Sequence, residues 1–146
     1  MKSWDEGSTL FELLTVLAVA SVLAAVTVPG AAGVRSAFAG AEGARSLALV
    51  LRAAQAEAQS RSGPVRVEVG AGGDYTVTDA GGDLVMSGRL GTRVTSTYPG
   101  GVLEFTERGW ARVPGSSSPR AGHFDLAGAT SSATVVVQLS GCVRCT

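Results

Sequence analysis

A chain of 146 residues with twelve basic and twelve acidic side chains has room for one modest domain and carries no net charge at neutral pH. Lys2 is the only lysine and no run of basic residues occurs, so nucleic-acid binding through bulk charge is excluded. Twenty glycines and an aromatic content of 5% indicate a turn-rich body with short strands rather than an aromatic-packed enzyme core.

The first long feature of the chain is an uncharged stretch from Leu13 to Val34. As a helix it would extend roughly 33 Å at ~1.5 Å per residue, which exceeds the ~30 Å thickness of the hydrocarbon core of a bilayer. The stretch therefore predicts a single membrane span.

A secretory signal peptide is the main alternative for this stretch. Lys2 would supply its positive region, and Ala31-Ala32-Gly33 would supply a cleavage site of small residues. Asp5 and Glu6 oppose this interpretation because they make the leader acidic. Glu12 also opposes it, since a carboxylate in lipid without a partner costs about 3 kcal/mol. A protein of this kind would be a secreted, β-rich binding module.

A family resemblance begins with the run Gly7-Ser8-Thr9-Leu10-Phe11-Glu12-Leu13-Leu14-Thr15-Val16-Leu17-Ala18. The run is similar to the class III signal of type IV pilins and pseudopilins, in which a short leader ends in Gly and an acid lies five residues into the mature chain. The resemblance implies that a prepilin peptidase cuts between Gly7 and Ser8 and methylates the new amino terminus on Ser8. It also implies that Glu12 serves assembly and that Pro29 is the site of a helix kink.

The physical chemistry of cleavage fits the role of Glu12. Cutting leaves an α-ammonium group near the membrane, and the Glu12 carboxylate is available to neutralise that charge on a neighbouring subunit. The partners implied are the prepilin peptidase, other pilin or pseudopilin subunits, an inner-membrane platform protein and an assembly ATPase. The protein would cross the cytoplasmic (inner) membrane once, with a cytoplasmic N-terminus and an extracytoplasmic body, and would then enter a pilus or pseudopilus.

Beyond Pro29 the apolar pattern becomes amphipathic, which predicts a helix that packs one face against a sheet. Gly40 and Gly43 each weaken a helix by up to ~1 kcal/mol relative to alanine, so a kink or loosened stretch is expected between Pro29 and Gly43. Gly63-Pro64 predicts the end of the helix. The predicted core face consists of residues at three- and four-residue spacing, namely Phe38, Ala41, Ala44, Leu47, Ala48, Leu51, Ala54 and Ala58.

From Pro64 onward the hydrophobic period changes to two, as in the alternation of Val65, Val67 and Val69 with charged residues. Glycine-rich turns follow this strand and the next one. The fold class is therefore predicted as α+β, with a long N-terminal helix packed on a small antiparallel β-sheet body. Strands are predicted at 65–69, 75–78, 84–86, 93–97, 102–106, 110–113, 123–126 and 133–139.

Three later stretches narrow the resemblance to the GspH/FimT group of minor pilins and type II secretion pseudopilins: 47–67, 103–109 and 133–144. The resemblance implies a leader at 1–7, a transmembrane assembly helix at 8–34, an amphipathic half at 35–62 and a β body at 63–146. The function it implies is that of a minor structural subunit of a type II secretion or type IV pilus machine.

His123 is the only histidine, and any Ser/His/Asp or Cys/His arrangement would need it. A lone histidine in a predicted strand is more often structural than catalytic. A zinc site needs about four ligands, and Cys142, Cys145 and His123 supply fewer. We therefore predict no enzyme activity, no metal and no cofactor.

Cys142 and Cys145 form a C-x-x-C pair close to the C-terminus. The resemblance places the body outside the cytoplasm, where thiols oxidise, and this favours a disulfide between them. Free thiols, or pairing with a neighbouring subunit, are the alternatives.

Arg144 is a candidate DNA contact. Some members of the FimT side bind DNA through arginines of a C-terminal Gly-Arg-x-Arg turn, in which Arg144 matches the second arginine and Cys142 replaces the first. With no lysines nearby, DNA binding would be weak and strongly salt-sensitive. A DNA-uptake minor pilin is therefore the alternative function, and an ordinary arginine at a strand end is the favoured interpretation.

Overall fold

The computed structural model describes residues 5–128 and 132–146, and within the first helix it describes the side chains of 10–24 and 38–60. The chain divides into two compact units, Met1–Arg35 and Ser36–Thr146. The elements within the described ranges are the helix α1 (Asp5–Ser60), a 3-10 turn at Pro99–Gly101, and the strands β1 (Val65–Val69), β2 (Asp74–Thr78), β3 (Leu84–Arg89), β4 (Arg93–Ser96), β5 (Val102–Phe105), β6 (Ala111–Arg112), β7 (Gly122–Ala127), β8 (Ser132–Val137) and β9 (Val143–Cys145).

The helix α1 ends in a C-terminal turn with one residue in the left-handed backbone region. The N–H of Gly63 donates to the C=O of Ala58 at 3.2 Å, and Ser62 adopts a φ of 53°, in the left-handed region that commonly follows the last helical turn. Pro64 then leads into β1. The end of the helix therefore agrees with the stop predicted at Gly63-Pro64.

The strands form antiparallel sheets, and this confirms the predicted α+β class. The body contains two such sheets rather than one. The first sheet has the order β3-β2-β1-β5-β6 and the second the order β4-β7-β8-β9. In the first sheet, Val67 of the central strand lies opposite Val77 on one side and Leu103 on the other.

The core is one cluster to which α1 and both sheets contribute. The alternation predicted for β1 is confirmed, since its valines are buried and Arg66 and Glu68 are exposed. The largest fully buried side chains are Tyr98, Phe105, Phe124, Leu47, Leu51, Leu103, Leu126, Val65, Val67, Val77, Val135 and Val137.

The predicted core face of α1 is correct from Ala44 onward, only partly buried at Ala41, and wrong at Phe38, whose side chain is 65% exposed. The reason is geometric. Each residue advances about 100° around a helix, so every step of three falls about 60° short of a full turn. Two such steps, from Phe38 to Ala41 to Ala44, carry the pattern from the outside of the helix to its buried face.

Four hairpin turns in the described body share one hydrogen-bond pattern. The N–H of the first residue donates to the C=O of the fifth, and the N–H of the fourth donates to the C=O of the first. The fourth residue is in each case a glycine with a φ of 79° to 86°, the left-handed region that favours glycine. The turns are Gly70–Asp74, Asp79–Asp83, Thr106–Trp110 and Gln138–Cys142.

Gly141 has little room for a side chain, because a Cβ built on it would lie 1.9 Å from the carbonyl oxygen of Gly109 and 2.3 Å from Nε2 of Gln55. Gly141→Ala should therefore destabilise the body by about 3 kcal/mol or more, since overpacking adds to about 1–2 kcal/mol of left-handed strain. Gly115→Ala is the matched control, because Gly115 has a φ of 79° and its built Cβ meets nothing within 4 Å. Urea denaturation of both variants measures the difference, and equal losses would contradict the close approach of the two turns.

The Tyr98 phenol gives the body a dependence on alkaline pH. Its ring stacks on Phe124 and its hydroxyl donates to the C=O of Arg120 at 3.1 Å. Burial raises the pKa of Tyr98 to about 12, although the Arg120 charge lowers it somewhat. The Tyr98 phenol therefore loses its proton at a lower pH in the unfolded chain than in the folded chain. The free energy of unfolding keeps its full value below pH ~10 and falls as the pH rises toward ~12, by about 1.4 kcal/mol at pH 11. Denaturation at pH 9 and pH 11 should show this loss in the native chain and not in Tyr98→Phe.

Candidate assembly surface

Residues 10–24 of α1 present apolar side chains on all sides. Every large apolar side chain in this stretch is more than half exposed, from Leu14 at 57% to Phe11 at 71%. A helix that is apolar all round needs cover from a membrane or from other protein. The side chains concerned are Leu10, Phe11, Leu13, Leu14, Val16, Leu17, Val19, Val22 and Leu23.

Within the part of the chain that the structure describes, no helix combines the length and the apolar content of a membrane-crossing segment. The predicted assembly helix at 8–34 includes 8, 9 and 25–34, whose side chains lie outside the described residues. These side chains include Ser8 of the predicted cleavage site and Pro29 of the predicted kink, and Gly7 also lies outside the residues whose side chains are described. The helix α1 runs through all three positions, and cleavage, methylation and the kink stay predictions.

Glu12 is the only charged residue in the stretch 10–24. Its side chain is exposed, and it makes no ion pair with any residue that the structure describes. The hydroxyl of Thr15 donates to the C=O of Glu12 at 2.8 Å, and that of Ser21 donates to the C=O of Ala18 at 2.8 Å. These two hydroxyls therefore need no outside partner. The Glu12 carboxylate needs one as soon as it is buried.

The body half of α1 also exposes apolar side chains, on the side away from the core. Phe38 and Leu49 are each 65% exposed and lie eleven positions apart, close to three full turns, so they share one face. Leu47 and Leu51 lie on the opposite face and are fully buried. We call the face that carries Phe38 and Leu49 the outward face.

Two polar side chains fix the rotation of this half of the helix. Gln55 Nε2 donates to the C=O of Gly109 at 2.8 Å, and Arg52 Nη2 donates to the C=O of Val143 at 3.0 Å. Gly109 lies in the turn between β5 and β6, and Val143 begins β9. The helix is thus bonded to both sheets, and the outward face cannot turn toward the core without breaking these bonds.

Cys142 and Cys145 are free thiols in the structure, which differs from the predicted disulfide. The reason is that Val143 and Arg144, which separate them, are extended in β9. Cα atoms three residues apart along a strand lie about 10 Å from each other, whereas a disulfide spans about 4.4–6.8 Å. The Cys145 thiol instead lies 3.7 Å from the carbonyl oxygen of Ala44 on α1, as a weak donor.

Arg144 is exposed on β9, opposite Val136 in the register, and its contact with DNA stays a prediction.

His123 Nε2 lies 3.4 Å from the Asp125 carboxylate on β7, and both side chains are nearly half exposed. Among the described residues, no three His, Cys, Asp or Glu side chains lie close enough to hold a metal ion.

Glu104 is a buried carboxylate that the sequence pattern does not single out. It is 7% exposed and has cross-strand neighbours Arg66 on β1 and Arg112 on β6. Arg112 Nε donates to Glu104 Oε1 at 2.7 Å, and Arg66 Nη2 lies 3.7 Å from Oε2. These pairs tie three strands together and compensate the burial of the charge, so we assign Glu104 a structural role.

Comparison with known proteins agrees with this architecture. Residues 43–141 match the family model described as type II transport protein GspH. No curated protein matches the sequence at a significant level. The fold is similar to a crystal structure of the type IV minor pilin FimU of Pseudomonas aeruginosa, with a TM-score of 0.60 and 16% identity over 72% of this chain and 86% of that chain. It is also similar to the minor pseudopilin EpsH of the type 2 secretion system of Vibrio cholerae, with a TM-score of 0.56 and 14% identity over 73% of this chain and 95% of that chain.

The two solved structures, at such low identity, establish the fold. The family match covers about two thirds of the chain and contains the buried face of α1 from Ala44 onward and the strands β1 to β8. The resemblance predicted from the sequence is thereby confirmed, and the chain belongs to the GspH family of type II transport proteins.

Proposed function

We propose that this chain is a minor pilin-like structural subunit that enters a type II secretion pseudopilus or a type IV pilus through α1. The observation that carries the proposal is the exposed apolar surface of the helix. Residues 10–24 expose large apolar side chains on all sides, and on the body half of α1 the outward face exposes Phe38 and Leu49. Both surfaces would be covered by the corresponding helices of other subunits.

Before assembly, the same helix would anchor the chain in the cytoplasmic membrane. The uncharged stretch from Leu13 to Val34 is long enough to cross a bilayer as a helix. The acidic leader of residues 1–7 would remain on the cytoplasmic side, where a prepilin peptidase removes it between Gly7 and Ser8. The body of residues 63–146 would face the extracytoplasmic side.

Glu12 gives the assembly step its specificity. Removal of the leader creates an α-ammonium group on Ser8, and transfer of either charge alone into an apolar bundle is costly. A pair between Glu12 of one subunit and the α-ammonium of its neighbour compensates both charges. The pair would form in one axial position only, and it would therefore fix the register between neighbouring subunits.

The proposed partners are other pilin-like subunits, an inner-membrane platform protein and an assembly ATPase. The role is mechanical, and it uses packing surfaces and one ion pair rather than a reacting group. Our proposal for the body is that it stands on the outside of the filament, on the helix that the bundle holds.

The mass of the mature chain tests the leader part of this proposal. When the chain is made together with a prepilin peptidase, we expect a product that starts at Ser8, with or without one methyl group on its amino terminus. The control is Gly7→Leu, which should leave residues 1–7 attached because the residue at the cut is changed. A product that starts at Gly33 would identify a secretory signal peptide instead and would overturn the proposal.

A further inference from the structure

The strand β9 is a short edge strand with few attachments. It spans three residues at the edge of the second sheet, and of these only Val143 is buried. Beyond it, Thr134 and Thr146 exchange a pair of backbone hydrogen bonds of 2.9 Å. Contacts with α1 add the Arg52 bond to Val143 and the Cys145 thiol near Ala44. Such an edge opens locally at a lower cost than the rest of a sheet.

The cysteines lie on both sides of this strand. Cys145 is on the same face as the buried Val143, and Cys142 is on the opposite face with Arg144, because side chains alternate along a strand. The two thiols are thus separated by about 10 Å of extended backbone and by the sheet itself. A disulfide between them requires Val143 and Arg144 to leave the extended conformation.

We propose that Cys142 and Cys145 form a redox latch on β9, in which the intramolecular disulfide and the pairing of β9 with β8 exclude each other. The reduced chain keeps β9 in the sheet. The oxidised chain closes a short loop around Val143 and Arg144 and releases β9 from β8.

The chemistry balances with a disulfide oxidant, either a small-molecule disulfide or a dithiol oxidase. The thiolate of Cys142, which is exposed at the end of the hairpin turn, attacks a sulfur of the oxidant and releases one reduced thiol. The Cys145 thiolate then attacks the mixed disulfide and releases the second. Two protons and two electrons leave the cysteines, and the oxidant becomes two thiols.

Release of β9 would turn β8 into the edge of the second sheet. The backbone N–H and C=O groups of β8 that bond to β9 would then lack partners, while those on the other side would stay paired with β7. An open edge of this kind accepts another strand. The helix α1 would also lose its bond from Arg52 to Val143. Oxidation would therefore act on the same end of the body that Gln55 and Arg52 fasten to the helix.

The redox equilibrium of the full-length chain tests the proposal by linkage. The chain in detergent micelles is equilibrated with reduced and oxidised glutathione, once folded and once in urea, and the internal disulfide is quantified by alkylation and mass spectrometry. If the disulfide disfavours the pairing of β9 with β8, that pairing disfavours the disulfide by the same free energy. We therefore expect the equilibrium constant for forming the disulfide to be at least tenfold lower in the folded chain than in urea. Equal disulfide content in the two conditions would overturn the proposal.

Hydrogen exchange provides the structural test. In the oxidised full-length chain we expect the amides of Thr134 and Thr146 to exchange at least tenfold faster than in the reduced chain, while the amide of Val67 in the first sheet stays unchanged. The control is the double variant Cys142→Ser/Cys145→Ser, which should show the same exchange in both redox buffers. Retained protection of Thr134 and Thr146 in a chain that carries the internal disulfide would contradict the latch.

Discussion

Leu51→Ala should destabilise the body by about 2–5 kcal/mol, since it leaves a cavity where α1 meets the sheets. Leu51 is fully buried, and its neighbours along the core face of the helix are buried as well. The residual cavity should persist because the helix is held in place by the bonds of Arg52 and Gln55 to the two sheets. Denaturant unfolding followed by circular dichroism measures the loss.

Leu49→Ala is the matched control, because it makes the same chemical change two residues away on the outward face. Its side chain is exposed, so the change in unfolding free energy should lie within about 0.5 kcal/mol. The two variants should differ in a second measurement as well. Leu49→Ala should fold normally but enter filaments less efficiently, because the outward face loses apolar area there. A Leu49→Ala chain as unstable as Leu51→Ala would mean that the assigned rotation of α1 is wrong.

Glu12→Gln should leave the chain in the membrane fraction and reduce its incorporation into filaments at least tenfold. The substitution keeps the shape of the side chain and removes its charge, so the α-ammonium group of the neighbouring subunit would be buried without a partner. Breaking a buried ion pair in this way costs about 3–5 kcal/mol, which exceeds the ~1.4 kcal/mol that corresponds to a tenfold change. Sheared filaments and membranes, each probed for the chain, give the ratio.

The control for Glu12→Gln is Glu107→Gln, which changes the net charge of the chain equally. Glu107 is exposed in the turn between β5 and β6, within the body. We expect native incorporation for Glu107→Gln. Native incorporation of Glu12→Gln would contradict the proposed ion pair and would mean that apolar packing alone holds the subunits together.

The hairpins of the body could be predicted from the sequence because their turns carry local signals. Gly70–Gly73 and Asp79–Asp83 place glycine where the backbone needs a positive φ, and the flanking valines alternate with polar residues. The strand β9 could not be found in this way. It has three residues, too few for an alternating pattern, and its strand character comes from its pairing with β8.

The role of Gly43 shows the limit of propensity arguments. In the sequence it appears as a residue that weakens a helix, whereas in the structure a Cβ built on it would lie 2.6 Å from the Thr92 methyl group and 3.2 Å from Leu126. The residue is buried where α1 lies against Leu126 of the second sheet. Only the tertiary contact shows that a small residue is required there.

The ion pairs of Glu104 likewise could not be predicted from the sequence alone. Arg66 is far from Glu104 in the sequence and becomes its neighbour through the order β1-β5-β6, and Arg112 meets Glu104 across the β5–β6 hairpin. The C-x-x-C pair is the opposite case, because its two cysteines are close in the sequence and yet are held apart as free thiols by the extended backbone of β9. In both cases the strand pairing determines which side chains can meet.

Cross-linking from the outward face tests most directly whether α1 is the assembly surface. The variant Leu49→Cys, in a chain that also carries Cys142→Ser and Cys145→Ser, has one thiol, which can be labelled with a benzophenone maleimide and photo-cross-linked to C–H groups of neighbouring subunits in cells that hold the complete machine. We expect cross-links to other pilin-like subunits that disappear when the assembly ATPase is removed. A chain that reaches the filament fraction without such cross-links, or forms them equally without the ATPase, would contradict this expectation.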